Sequence, residues 1–304
     1  MRICLLLPII FSTYFTQAQP SIIVLGTIQD AGSPQIGCTK DCCKNLFIKP
    51  DHSRQVVSLG LFDADTKTSY LFEATPNISA QLRQLKNNSK SLTDLPNGIF
   101  LTHAHIGHYT GLMFLGKEAL NAKNLPVYAM PKMKSFLEQN GPWSQLVSQQ
   151  NILLKEQTNN KPIFLSDSLS VTPIIVPHRD EYSETVGYLI SGPRKKLLFI
   201  PDIDKWDKWN QDINALIGKV DYALIDATFF DATEINNRPI SEIPHPLVTE
   251  SMQRFNSLKE SERKKIHFIH FNHTNPLLDE KSTETKMIFK AGFNIAKQGE
   301  IFNL

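Results

Sequence analysis

The chain has 304 residues, of which 41% are hydrophobic and 20% charged, with a formal net charge of +2. That length allows a large buried core, and the near-neutral balance argues against a nucleic-acid surface driven by bulk charge. Beyond the first eighteen residues, no stretch approaches the ~20 apolar residues that a membrane-spanning helix needs.

Residues 1–18 read as a secretory signal peptide. Met1-Arg2 is a short positive start, 3–15 is apolar, and Thr16-Gln17-Ala18 supplies small residues before a cut. The stretch is too short and wrongly flanked to span a bilayer, and Cys4 lies too early to carry a lipid at the cleavage point. The expectation is a secreted or periplasmic protein whose residues 19–304 form a single domain, since no repeat, low-complexity tract or long linker divides them. Strands are expected at 21–25, 56–62, 69–72, 99–101, 127–129, 171–176, 186–190, 196–200, 222–225 and 266–271. Helices are expected at 78–85, 111–120, 132–139, 209–216 and 246–258. Strands interleaved with helices point to an α/β layered fold.

Three imidazoles follow the apolar run Ile99-Phe100-Leu101: His103, His105 and His108. A strand that stops at a polar cluster places those side chains on a rigid edge. Neutral imidazole is a good ligand for zinc and similar divalent ions. Later strand ends carry the same chemistry, with His178 after one, Asp202 after another, and His270 with His273 after a third. Sites in layered α/β folds gather at one edge of the sheet, so such distant groups can meet.

The order His103-x-His105-x-Gly107-His108, then His178, Asp202 and His270, resembles the metallo-β-lactamase superfamily, whose signature is His-x-His-x-Asp-His followed by His, Asp and His. The resemblance covers essentially all of residues 19–304. It implies an α/β four-layer αββα sandwich with a metal site at one rim. Further strings narrow it: Leu25-Gly26-Thr27, Gly32-x-Pro34-Gln35-x-x-Cys38, the run from Tyr70 to Pro76, Thr110-Gly111-Leu112 and His270-Phe271-Asn272-His273-Thr274-Asn275-Pro276. Together they resemble the pyrroloquinoline quinone biosynthesis protein B family.

Carried over residue by residue, the resemblance implies one metal on His103, His105 and His178 and a second on His108 and His270, with Asp202 between them. Gly107 stands where the superfamily pattern has an aspartate. The expectation is therefore one tightly bound Zn2+, with iron as the alternative metal. The second site is then weak or empty, or is completed by Asp180 or Asp204. Three imidazoles and a water match an open catalytic zinc site, whose water ionises near pH ~7.

His273 reads as a loop imidazole beside the metal rather than a ligand. Asp226 reads as either an orienting group or a turn cap, and Glu73 as an orienting or structural acid. No role is read for His52, His245 or His267. Cys38, Cys42 and Cys43 could hold a structural metal, with His52 or another donor completing the set, or form one disulfide and a free thiol. Trp143, Trp206 and Trp209 read as core, with a pocket wall as the alternative for one of the last two. Arg179 is either an anion contact or a surface ion pair. There is no nucleophile elbow, phosphate loop or dinucleotide fingerprint.

The expectation is an exported metal-dependent hydrolase acting on a small-molecule ester, lactone, amide or phosphodiester, with Asp202, His108 and His270 at the reacting centre. Two alternatives stand beside it: an iron-dependent oxygenase or hydroxylase like the quinone-cofactor protein, and a non-catalytic binding or carrier protein. A fold of this kind hosts many reactions.

Overall fold

The computed structural model describes residues 19–91, 93–235 and 239–304; the expected signal peptide lies outside them. In chain order, six strands build a first sheet: β1 (Ser21–Gly26), β2 (Ser58–Asp63), β3 (Thr68–Phe72), β4 (Gly98–Phe100), β5 (Leu125–Ala129) and β6 (Ile152–Glu156). Seven build a second: β7 (Ile163–Ser166), β8 (Leu169–Ile175), β9 (Val186–Ser191), β10 (Lys196–Ile200), β11 (Tyr222–Asp226), β12 (Ile266–Ile269) and β13 (Asn294–Ile295). The chain then returns β14 (Ile301–Asn303) to the outer edge of the first sheet, beside β1.

The apolar alternation of each strand decides the layers. Ile22 and Val24 face the space between the sheets, while Ile23 and Leu25 face outward. On the second sheet Leu197 and Phe199 point inward and Leu198 and Ile200 outward. Strands buried on both faces read as unbroken apolar runs, and both outer faces need covering. Helices Ile78–Ser89, Pro131–Gln139 and Trp143–Ser148 cover the first sheet through Leu85, Met133, Leu137 and Leu146. Helices Ile213–Ile217, Val248–Phe255 and Thr283–Lys290 cover the second through Ile217, Phe255 and Ile288. The result is the expected αββα sandwich.

Strand direction sets where the site forms. β1 and β3 are both antiparallel to β2, and β3 and β4 are parallel. The ends of β1, β3 and β4 therefore emerge at one rim. β8 and β10 are both antiparallel to β9, and β10, β11 and β12 run parallel, so their ends emerge together as well. Between the sheets, Phe72 stacks on Phe100 with centroids 5.1 Å apart and meets the Tyr188 ring edge-on at 5.3 Å. Tyr188 Oη donates to the carbonyl of Leu101 at 2.5 Å, fixing the second sheet to the turn that precedes His103.

Several local expectations need correction. Residues 111–120 are not an α-helix; a single turn at Ile106–Tyr109 passes into a 3-10 helix at Thr110–Leu115. Gly111 explains this: a Cβ there would stand 2.0 Å from the carbonyl of Thr75, so the turn is clamped against the end of β3. The helix expected at 209–216 is confined to Ile213–Ile217, after a 3-10 turn at Trp206–Lys208. Helices Asp41–Ile48 and Thr283–Lys290 and the edge strands β6, β7, β13 and β14 were not read from sequence.

Candidate metal centre

Every strand end at the shared rim delivers a polar side chain. His103 and His105 follow β4, His178 follows β8, Asp202 follows β10, Asp226 closes β11 and His270 follows β12. The donor atoms of His103, His105, His178 and Asp202 lie within 4.8 Å of one another. His103 Nε2 is 2.8 Å from His105 Nδ1 and 3.4 Å from Asp202 Oδ2, and His178 Nε2 is 3.3 Å from Asp202 Oδ1. A second group joins His108, His270 and Asp202 to Asp30 within the same span. Asp202 belongs to both groups.

Each imidazole has an oxygen beside its other ring nitrogen, in hydrogen-bonding geometry for all but His108. His103 Nδ1 shares a hydrogen bond of 2.9 Å with Thr102 Oγ1, and His178 Nδ1 meets Asp204 Oδ1 at 3.1 Å. His270 Nδ1 meets Thr228 Oγ1 at 2.9 Å, His108 Nδ1 stands 3.4 Å from Glu73 Oε1, and His105 Nε2 stands 3.3 Å from Glu181 Oε2. Oxygen partners of this kind fix ring orientation and tautomer so that the remaining nitrogen presents its lone pair.

Several of those remaining atoms have no partner, while His103 Nε2 and His105 Nδ1 face each other. His108 Nε2, His178 Nε2, His270 Nε2, Asp30 Oδ1 and Asp202 Oδ1 are buried and make no hydrogen bond. Buried polar atoms are normally satisfied, so five orphans divided between two adjoining donor groups that share Asp202 fit coordinated cations, and a mixed imidazole and carboxylate set suits a divalent transition metal.

The electrostatics divide the cluster: against burial, the neighbouring carboxylates push His108 and His270 up and His178 up to about 9, protons that a bound cation would have to displace, while the acids and His103 are shifted toward their ligating forms. Burial opposes ionisation of Asp202, yet the imidazoles of His178 and His245 hold its carboxyl well below the usual range. Burial likewise opposes charge on Asp30, and His108 and His270 hold it low. Burial and the neighbouring His108 keep His103 well below its ordinary value, so it is neutral and able to ligate. His270 itself has a left-handed backbone, φ 70°, at full burial. For a residue other than glycine this conformation is costly, and it tends to occur at functional sites.

Other expected site residues fall elsewhere. Asp180 accepts from Thr185 Oγ1 and Asp204 supports His178, so neither fills the place opposite Gly107. Glu73, fully buried, faces His108 as an orienting acid. Asp226 accepts from Thr228 and meets His245 at 2.9 Å. Trp206 donates to Ser251 Oγ and Trp209 to the Ile175 carbonyl, both within the core behind the second sheet; Trp206 also lines a surface cleft with Lys205, Glu250 and Arg254 that includes none of the rim donors. Trp143 packs on Tyr109 and Phe136. Arg179 is exposed and pairs with Glu181 at 3.6 Å.

His273 requires a correction: it joins Cys38, Cys42 and Cys43, with all four donor atoms within 4.8 Å, instead of standing beside the imidazole cluster. The three cysteines are free thiols, with Sγ separations of 4.0 Å and 3.9 Å, not a disulfide and a spare. His52 is exposed and outside that group. Three thiols and one imidazole make a closed tetrahedral donor set of the structural zinc type.

Two residues of the rim were missed. Asp30 lies just beyond β1, with no neighbouring histidine in sequence to mark it. His245 sits in the loop before helix Val248–Phe255, where its Nδ1 lies 3.1 Å from Asp202 Oδ1 and 2.9 Å from Asp226 Oδ2. Against the cost of burial, those two carboxylates push its pKa up to about 10. Neither carried a clear sequence signal: Asp30 stands four residues past β1 with no other ligand type beside it, and His245 follows a 3-10 turn at Ile240–Glu242 and not a strand.

The family model for the beta-lactamase superfamily domain matches residues 68–271, more than half of the chain, and the chain belongs to that superfamily. Among curated proteins it is similar to the coenzyme PQQ synthesis protein B of Methylococcus capsulatus. The two are 27% identical, over 91% of this chain and 98% of that one. The protein of the same name from Nitrosococcus oceani is also 27% identical, over 91% and 98%. Among solved structures, Zn(2+)-bound PqqB from Methylobacterium extorquens superposes with a TM-score of 0.76 at 22% identity, over 93% of this chain and all of that one. A diphosphatase of the PhnP family gives a TM-score of 0.63 at 19% identity, over 94% and 97%.

Proposed function

We propose that this protein is a metal-dependent hydrolase whose cation is held by His103, His105, His178 and Asp202. The observation that carries this reading is that the facing donor atoms of His103, His105, His178 and Asp202 all lie within 4.8 Å of one another at the sheet rim, with His178 Nε2 and Asp202 Oδ1 buried and unpartnered. A divalent ion bound there would supply Lewis acidity and lower the pKa of a water to about 7.

The chain's own residues would do the rest. Asp202, held anionic, would bind cation and fix the orientation of a polar substrate group. His245 and Asp226 would keep that carboxylate in place. The Tyr188 contact and the Thr102 hydroxyl would hold the 101–103 turn rigid, so that the donors need little rearrangement at the moment of reaction. Likeness in fold to a diphosphatase supports a phosphorus ester as the bond cleaved ahead of a carboxylic ester, lactone or amide, and names no particular substrate. Export is part of the proposal and rests on the pattern of residues 1–18 alone.

A second reading, an oxygen-dependent step in quinone-cofactor synthesis, is favoured by full-length likeness to proteins named for PQQ synthesis. Elemental analysis of protein purified without oxygen, with turnover assays, separates the two. Zinc with chelator-sensitive hydrolysis of generic esters or phosphodiesters supports the first. Iron with oxygen uptake replaces it with the second. A metal-loaded protein that turns over nothing in either assay overturns both.

A further inference from the structure

The superfamily pattern places an aspartate at position 107, and this chain has Gly107 there. The structure brings Asp30 into the same space from a different strand. Asp30 Oδ1 stands 2.8 Å from His108 Nε2 and 3.5 Å from His270 Nε2. At 2.8 Å the first pair is close enough for a hydrogen bond but off the line that a ring N–H requires, and both atoms are left unpartnered. A carboxylate oxygen and two imidazole nitrogens that face one point without bonding each other have the geometry of ligands around a common cation.

Backbone pairing fixes Asp30 in that place. The Gln29 N–H donates to the Phe271 carbonyl at 2.9 Å and the Phe271 N–H to the Thr27 carbonyl at 2.8 Å. The segment leaving β1 is thus bonded to the segment leaving β12, and Asp30 and His270 are carried on adjoining stretches. Space at 107 is the complementary half. A Cβ there would stand 2.6 Å from both Asp30 Cα and Asp30 Oδ1. An aspartate at 107 and Asp30 in its present position exclude one another.

We propose that Asp30 supplies the carboxylate of a second cation site with His108, His270 and Asp202, so that a ligand has moved from the histidine motif to the end of β1 and Gly107 is the vacancy that admits it. The inference deepens the metal-dependent reading above: the centre is dinuclear, with Asp202 bridging. It also reverses the obvious engineering step. Gly107→Asp does not add a ligand to this chain; it displaces the one present.

The test counts cations without using activity. Full-length protein and the Asp30→Asn variant are stripped and titrated with cobalt(II), whose thiolate charge-transfer band separates the cysteine cluster from the imidazole sites. Wild type should hold two equivalents outside the thiolate band. Asp30→Asn should hold one, or bind the second at least about 100-fold more weakly, since even outer partners of metal ligands are worth 10–100-fold. Gly107→Ala should lose the same equivalent while Asp30 is still present, and equal melting temperatures of the stripped proteins would show that folding is unaffected. Two full-affinity equivalents in Asp30→Asn, or a wild type that holds only one, overturns the proposal and leaves the mononuclear hydrolase standing. A wild type with none outside the thiolate band sinks the metal-dependent reading as well.

Discussion

Asp226 Oδ2 accepts a hydrogen bond of 3.2 Å from the backbone N–H of Ile203, the residue directly after Asp202. Its other oxygen accepts from the N–H and hydroxyl of Thr228 at 2.8 Å and 2.7 Å, and the same hydroxyl meets His270 Nδ1 at 2.9 Å. One buried carboxylate thus sets the chain at Asp202 and, through Thr228, the ring of His270. Asp226→Asn keeps the shape but removes the charge that orders these donors. It should weaken cation binding by about 10–100-fold, measured by competition with a chromophoric chelator, with little change in the melting temperature of the stripped protein. Unaltered affinity would show that Asp226 is only a turn residue.

The cysteine cluster links the two segments that carry Asp30 and His270, because Cys38 follows the first and His273 the second. Cys43 lies on helix Asp41–Ile48, where burial pushes its thiol up to about 12. A cation there stabilises the folded chain in proportion to its binding. Cys38→Ser and His273→Ala should each remove one equivalent of zinc and lower the melting temperature of the loaded protein, whereas His52→Ala should do neither. Were His52→Ala to match His273→Ala, the fourth donor has been misassigned.

The imidazole rim was legible because its chemistry is local: three histidines in a six-residue span just after a strand, repeated singly at later strand ends. The fold followed from apolar runs long enough to be buried on both faces. Asp30 was not legible because one acid beside a glycine-rich turn looks like any other, and what distinguishes it is pairing between Gln29 and Phe271, 242 residues apart as their numbers give. His245 was hidden for a similar reason. The edge strands β6 and β7 expose much of their length and carry apolar runs of only three residues, too short for pattern alone to mark a strand. Gly111 and its neighbours carried helical spacing, but contact with the end of β3 overrode it.

Tyr188 joins the layers by donating to the Leu101 carbonyl and accepting from Gln157 Nε2 at 3.0 Å. The residue is fully buried, so no water replaces its hydroxyl. Tyr188→Phe should destabilise the protein by about 1–3 kcal/mol, the cost of leaving buried groups unpaired. Denaturant unfolding should show this as a lower midpoint with an unchanged slope. A variant as stable as wild type would mean that the rings, not the hydroxyl, hold the layers together.

His267 gives the fold an acid limit separate from the metal centre. It lies on β12 with its ring edge-on to Phe302 at 4.9 Å. Burial pushes its pKa down to about 4. Glu300 Oε1 is 3.5 Å from Nδ1 without a hydrogen bond, and burial pushes that carboxyl up, so it is a poor counter-charge for an imidazolium. In the unfolded chain the imidazole takes its proton near pH ~6.5. Between that pH and about 4 the unfolded state therefore binds a proton that the folded state does not. Stability is full above the upper value, falls as pH drops through the window, and loses nothing further from this group below it. The gap corresponds to about 3 kcal/mol at most. The His267→Leu variant lacks the group, so the stability difference between wild type and variant should shift in the variant's favour by up to that amount from pH ~7 to ~4. Groups remote from residue 267 cancel in the difference. A difference that stays constant across the window would mean that His267 protonates as readily in the fold as outside it.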